Sequence, residues 1–276
     1  MEEQNIAEAH LRKKKLEEDL SSLGKVAVAF SSGVDSAFLL KVAHDVLGNN
    51  AIALTASACF FPGKELEEAK AFCKEEGIRH IVVEFDGLGV PDFKDNPPDR
   101  CYVCKRALFT CMTGAANEAG FDIIVEGSNT DDTGDYRPGM RAISELGIRS
   151  PLKDAGLSKN DIRMLSKELG LYTWDKPSYA CLASRFVYGE QITEDKLRMV
   201  ELAEQRLHEM GFRQVRVRIH DRMARIETLP SDLERIANRE TASVLNEYLK
   251  ELGFEYVTLD LGGYVMGSMN RPLLDH

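Results

Sequence analysis

A chain of 276 residues that is 43% apolar and 29% charged can bury one large or two modest cores, and it is too rich in core-formers to be disordered. Its formal charge of −10 argues against non-specific grip on a nucleic-acid backbone and favours small-molecule partners. The longest apolar runs are strand-sized and residues 1–20 are a charged mix unlike a secretory signal, so the expectation is a cytoplasmic protein with no membrane segment.

In chain order, residues 6–23 read as an amphipathic helix, with Ile6, Leu11, Leu16 and Leu20 apolar among Lys and Glu. A β-branched strand, KVAVAF at 25–30, runs into Ser31-Ser32-Gly33-Val34-Asp35-Ser36 and then a helical pattern through Phe38, Leu39, Val42, Val46 and Leu47. The alternation repeats, with strands at 51–56, 80–85 and 122–127 and helices at 64–76 and 102–119. Such a βαβ series predicts an α/β fold: a parallel twisted sheet with helices on both faces and ligands at the carboxyl ends of its strands. Two long loops, at 87–100 and 128–141, interrupt it, and loops of this length are commonly functional. A boundary near 188 then separates residues 1–188 from a small α+β module, 189–276, with helices at 193–210, 231–237 and 242–252 and strands at 214–220 and 256–261.

Ser31 to Ser36 lies where a strand ends and a helix begins, so free N–H groups, hydroxyls and a helix N-terminus meet in an anion pocket. It is neither a Walker A loop, lacking Gly-Lys-Ser/Thr, nor a dinucleotide fingerprint; a plain serine-rich helix cap reads equally well. Among six cysteines, too few for a disulfide scaffold, Cys101 and Cys104 are spaced C-x-x-C. They fall in the first turn of the helix after Pro97-Pro98-Asp99, on one face and near a helix N-terminus that favours thiolate. A redox pair, half a zinc site or coincidence remain open. Against the first two, no thioredoxin-like strand precedes the pair and no second ligand pair occurs. Core packing is the expectation for Cys59, Cys73 and Cys111.

The Ser31 to Ser36 segment resembles the S-G-G-x-D-S pyrophosphate loop of the ATP pyrophosphatases, which adenylate a substrate and release pyrophosphate. Ser32 stands in place of the first glycine, a strained substitution if that position requires positive φ. The downstream segments Glu126-Gly127-Ser128-Asn129-Thr130-Asp131-Asp132, Gly134-Asp135-Tyr136-Arg137-Pro138-Gly139, Ser150-Pro151-Leu152 and Pro177-Ser178-Tyr179-Ala180-Cys181-Leu182-Ala183-Ser184-Arg185 are together similar to the LarE family. These are ATP-dependent sulfur transferases that convert pyridinium-3,5-biscarboxylate mononucleotide to its bis-thiocarboxylate, the organic part of lactate racemase's nickel-pincer cofactor.

That resemblance implies the following assignments. ATP would be held at Ala29, Phe30, Ser31, Gly33, Asp35, Ser36, Thr55 and Gly127, with Asp132 and Arg137 closing over the phosphates. Magnesium would sit on Asp35, with Glu227 as a second candidate. Cys181 would be the sulfur-donating position. With Cys101 and Cys104 it would hold a 4Fe-4S cluster whose open iron carries replaceable sulfide, the alternative being sacrifice of Cys181 itself. Arg216 and Arg218, on one side of a strand whose other side carries Val215, Val217 and Ile219, would bind the substrate phosphate together with Arg185. The expected partners are the pyridinium mononucleotide, an upstream carboxylase, a downstream nickel-inserting protein and further copies of the chain. Transfer-RNA thiolation, the other cluster-dependent possibility, is disfavoured by the acidic charge.

Overall fold

A computed structural model describes residues 2–133, 138–177, 180–265 and 268–270. The chain divides into two compact units. The first comprises Met1–Ala58, Gly63–Phe85 and Cys101–Tyr179, and the second comprises Cys59–Pro62, Asp86–Arg100 and Ala180–His276.

The first unit begins with α1 (Glu2–Leu23), β1 (Val26–Ala29), α2 (Val34–Leu47), β2 (Ala51–Ser57), α3 (Gly63–Glu75) and β3 (His80–Glu84). It continues with α4 (Arg100–Glu118), β4 (Ile124–Val125), α5 (Pro138–Glu145), α6 (Pro151–Asp154) and α7 (Lys159–Glu168). The strands pair in parallel in the order β3-β2-β1-β4. Val26, Ala27 and Val28 are all buried, so small and β-branched residues occur at successive positions of a strand covered on both faces. Leu16 and Leu20 of α1, Phe38, Leu39 and Val42 of α2, and Ile162 and Leu165 of α7 belong to one core with Val26 and Val28. The expected α/β sheet is therefore present. Its fourth strand is shorter than the pattern suggests, because beyond Val125 the chain pairs with the segment at Arg149 instead: the Glu126 N–H donates to the Arg149 carbonyl at 2.9 Å.

The second unit contains α8 (Glu194–Glu209), β5 (Val215–His220), β6 (Met223–Thr228), α9 (Leu233–Ala237), α10 (Arg239–Glu251) and β7 (Tyr256–Leu259). Its sheet has the order β5-β6-β7, with β5 and β6 antiparallel and β6 and β7 parallel. Asp221, at φ 54°, starts the two-residue turn between β5 and β6, a position where Asp is tolerated in the left-handed region. Five successive residues of β5 are buried, so its arginine side is covered rather than solvated.

Candidate active site

In the first unit, β2 and β3 lie on one flank of β1 and β4 on the other. The crevice between the carboxyl ends of β1 and β4 is thus the place where an open parallel sheet binds ligands. The two loops that meet there are residues 30–33 and 126–132. Gly127 eases their approach: a Cβ at that position would stand 3.0 Å from the Ser36 nitrogen and 3.3 Å from the Asp35 carbonyl carbon, so a side chain there would push the loop after β4 a few tenths of an ångström away from the first turn of α2.

Gly33 occupies the N-cap of α2 and carries no side chain to satisfy the helix's first N–H groups, which leaves that end suited to an anion. Ser31 donates its N–H to Ser36 Oγ at 3.3 Å, and Ser36 Oγ donates to the Gly33 carbonyl at 3.1 Å, so the loop folds around its own hydroxyls. Ser32 has φ +53° and is fully buried. The position does take the left-handed conformation, which costs a serine about 1 kcal/mol or more. Asp35 accepts from Asn129 Nδ2 at 3.2 Å and pairs with the ammonium of Lys159. The Asn129 N–H in turn donates to Asp132 at 2.9 Å, so Asp132 shapes this loop. Arg137 lies outside the described residues.

Ala29 ends β1, and the Phe30 N–H donates to the Leu54 carbonyl at 2.8 Å. The Thr55 hydroxyl donates to the Phe30 carbonyl at 2.8 Å, and His80 Nε2 lies 2.8 Å from the same hydroxyl oxygen. With the hydroxyl proton already committed, His80 must be the donor. Burial, with Lys70 nearby, holds His80 below its ordinary pKa, which keeps that imidazole neutral. Thr55 therefore fixes the entry to the loop. Glu126 accepts from the Ser128 N–H at 3.1 Å, from the Ser128 hydroxyl at 2.8 Å and from Ser150, anchoring the second loop from a buried carboxylate.

A magnesium ion keeps several waters and needs only one or two protein carboxylates besides phosphate oxygens. The half-buried Asp35 carboxylate fits such a role. Glu227, the second candidate, is 1% exposed, accepts from Arg218 Nε and Nη2 at 3.0 and 2.8 Å, and pairs with Arg225 at 3.1 Å. Its charge is balanced by the two guanidiniums of Arg218 and Arg225.

Cys101 is exposed and Cys104 half-buried in the first turn of α4. In the second unit, half-buried Cys181 precedes a 3-10 turn, Leu182–Arg185. Among the described residues no group of three or more His, Cys, Asp or Glu side chains is gathered to hold a metal ion. Of the other cysteines, Cys73 is buried in the core, and burial pushes its thiol up to about 12. Cys59 and Cys111 are exposed, contrary to the core packing expected; Cys111 Sγ lies 4.0 Å from the Glu84 carbonyl at the end of β3.

In the second unit Arg185 is 1% exposed and forks onto Glu204 at 2.8 and 2.7 Å, while its third nitrogen reaches the carbonyls of Ala180 at 2.7 Å and Cys181 at 3.2 Å. Arg218, besides Glu227, donates to the Ser184 carbonyl at 2.9 Å. Both guanidiniums thus help to hold the Cys181 segment. Arg216 is also buried, over the Tyr264 ring at 5.3 Å.

Burial alone would raise the Glu204 pKa, but the Arg185 charge and its hydrogen bonds outweigh this and hold it below the ordinary carboxylate value. Its contribution to stability is therefore present above the unfolded-state pKa and lost as pH falls through the folded one. Glu204→Gln, which leaves Arg185 buried without its counter-ion, should cost about 3–5 kcal/mol by urea unfolding and should flatten the acid limb of stability against pH. An unchanged acid limb would show that the pair does not carry it.

A parallel sheet whose switch point joins a serine-rich loop, a helix N-terminus and an acid–lysine pair is an α/β architecture with an anion-binding site at its strand ends. No family model matches the chain. It is 42% identical to an uncharacterized protein of Synechocystis over 94% of this chain and 96% of that one. It is 40% identical to the pyridinium-3,5-bisthiocarboxylic acid mononucleotide synthase of Lactiplantibacillus plantarum, covering 92% of each. Further away, it is 24% identical to a glutamine-hydrolyzing GMP synthase chain of Thermoplasma volcanium over 63% of this chain and 60% of that one. The chain belongs to the LarE family of ATP-dependent sulfur transferases.

Glu126 and Asn129 fall within the segment that carries the family resemblance, but sequence pattern does not single out Lys159, Lys176 or His80. One available signal is the capping box Ser158-Lys159-Asn160-Asp161, formed in full at the start of α7, which marks a helix beginning with the lysine that meets Asp35.

Proposed function

We propose that the chain adenylates the carboxylates of pyridinium-3,5-biscarboxylate mononucleotide and replaces each activated oxygen with sulfur, giving the thiocarboxylates of the nickel-pincer cofactor of lactate racemase. The observation that carries this reading is the Ser31 to Ser36 loop against Asp35, Asn129 and Lys159 at the switch point. There a pyrophosphate finds hydroxyls, a helix N-terminus and a lysine, and Asp35 would hold the accompanying magnesium. A substrate carboxylate oxygen attacks the α-phosphorus, the bond to pyrophosphate breaks, and the acyl adenylate offers AMP as leaving group. A sulfur nucleophile adds at the acyl carbon and AMP departs.

The sulfur carrier is assigned to Cys101, Cys104 and Cys181 as ligands of a 4Fe-4S cluster. Their sequence pattern and the accessibility of Cys101 support that assignment. The second reading is supported by the half-buried Cys181 and its anchored segment. Its thiolate forms a thioester as AMP leaves, then loss of the α-proton breaks the Cβ–S bond, leaving dehydroalanine and the thiocarboxylate. A carboxylase would supply the substrate and a nickel-inserting protein would take the product, with the chain acting as a homo-oligomer.

Pyrophosphate release from ATP should be stimulated by the biscarboxylated pyridinium mononucleotide; no stimulation would sink the substrate assignment. Anaerobically purified protein should be brown, with about four irons and labile sulfide per chain. A colourless protein in which Cys181 loses the mass of hydrogen sulfide on turnover would replace the cluster with the sacrificial route.

A further inference from the structure

The pyrophosphate loop contains one residue whose conformation runs against its chemistry: Ser32, left-handed at φ +53° and fully buried. Its neighbours explain how it stays there. Lys176, whose side chain is 12% exposed, donates from Nζ to the Ser32 carbonyl at 3.0 Å and to Ser32 Oγ at 3.1 Å. Ser32 Oγ donates onward to the Glu65 carbonyl of α3 at 3.2 Å, and the same ammonium is paired with Glu68 one turn along α3. Lys176 is itself pinned from the other side, since its carbonyl accepts from Arg163 of α7 at 2.8 Å and its N–H donates to the Thr173 carbonyl at 3.0 Å.

A flexible lysine fixed at its backbone, with its ammonium directed at both oxygens of one residue, acts as a clamp. We propose that Lys176 is a positioning residue for ATP use, holding Ser32 in the left-handed turn that a glycine would adopt unaided, so that the N–H groups and hydroxyls of the loop are already aimed when the triphosphate arrives. Lys176 sits five positions before Cys181 along the chain. The inference rests on the reading of this loop as the pyrophosphate site, and it adds a role for a residue outside the loop.

The test is a double-mutant cycle in the full-length protein, followed by pyrophosphate release from ATP. Lys176→Met should raise KM for ATP about tenfold, the equivalent of about one charge-assisted hydrogen bond, and leave kcat within about twofold. In a Ser32→Gly background, where the turn needs no clamp, the same substitution should raise KM by less than about threefold. If Lys176→Met does not fold, Glu68→Gln carries the same cycle with a smaller effect in the same direction. An equal loss in both backgrounds, no loss at all, or a fall in kcat and melting temperature at constant KM would overturn the clamp while leaving the loop reading intact. Undiminished pyrophosphate release in Asp35→Asn would overturn both together.

Discussion

Cys181→Ser should abolish thiocarboxylate formation, by at least about 10³-fold, while pyrophosphate release from ATP in the presence of substrate persists for the first turnover. On the proposed reading the two halves of the reaction would be separable, since activation would use the Ser31 to Ser36 loop and Asp35, which belong to the first unit, whereas Cys181 belongs to the second. Serine preserves the backbone that Arg185 holds through the Ala180 and Cys181 carbonyls, so folding should be unaffected. What it removes is the polarizable sulfur that would ligate iron as thiolate or leave with the product. Quenched-flow measurement of pyrophosphate alongside mass spectrometry of the pyridinium product checks this directly. Retained thiocarboxylate in Cys181→Ser would remove Cys181 from the chemistry altogether.

The complementary substitution is Asp35→Asn, expected to lower substrate-stimulated pyrophosphate release by about 10²–10³-fold. Asparagine keeps the shape and can still meet Asn129. It withdraws the charge that pairs with Lys159 and that would anchor magnesium, and it turns an amide donor toward an ammonium. The Asp35 side chain is 23% exposed, so its loss should move the melting temperature by only a few degrees. A variant with an intact fold and silent ATP chemistry is the expected combination. Full activity in Asp35→Asn would place metal and phosphate elsewhere.

The sequence is most informative where local chemistry and fold agree. KVAVAF followed by small residues and an apolar stripe specifies strand, loop and helix without tertiary help, and its repetition specifies the parallel sheet and hence the crevice. It is least informative where pairing joins distant residues. β6 escapes recognition by pattern because Arg225 and Glu227 make its sequence look like a solvated stretch; those charges meet Arg218 and each other inside the second unit. The alternation in β5 correctly places Arg216 and Arg218 on one side, but a period of two cannot say whether that side faces water or a buried carboxylate. Lys176 and Ser32 lie 144 positions apart, and no local pattern links a lysine before a proline to a strained serine at the far end of the unit.

The missing side chain at residue 127 gives the crevice an adjustable width. With 3.0 Å between a would-be Cβ and the helix backbone, even one methyl group acts as a wedge, and larger groups widen the gap in steps. A graded series from alanine to valine would therefore serve as a feeler gauge, reading out how tightly the two walls of the proposed nucleotide cleft must close for pyrophosphate release.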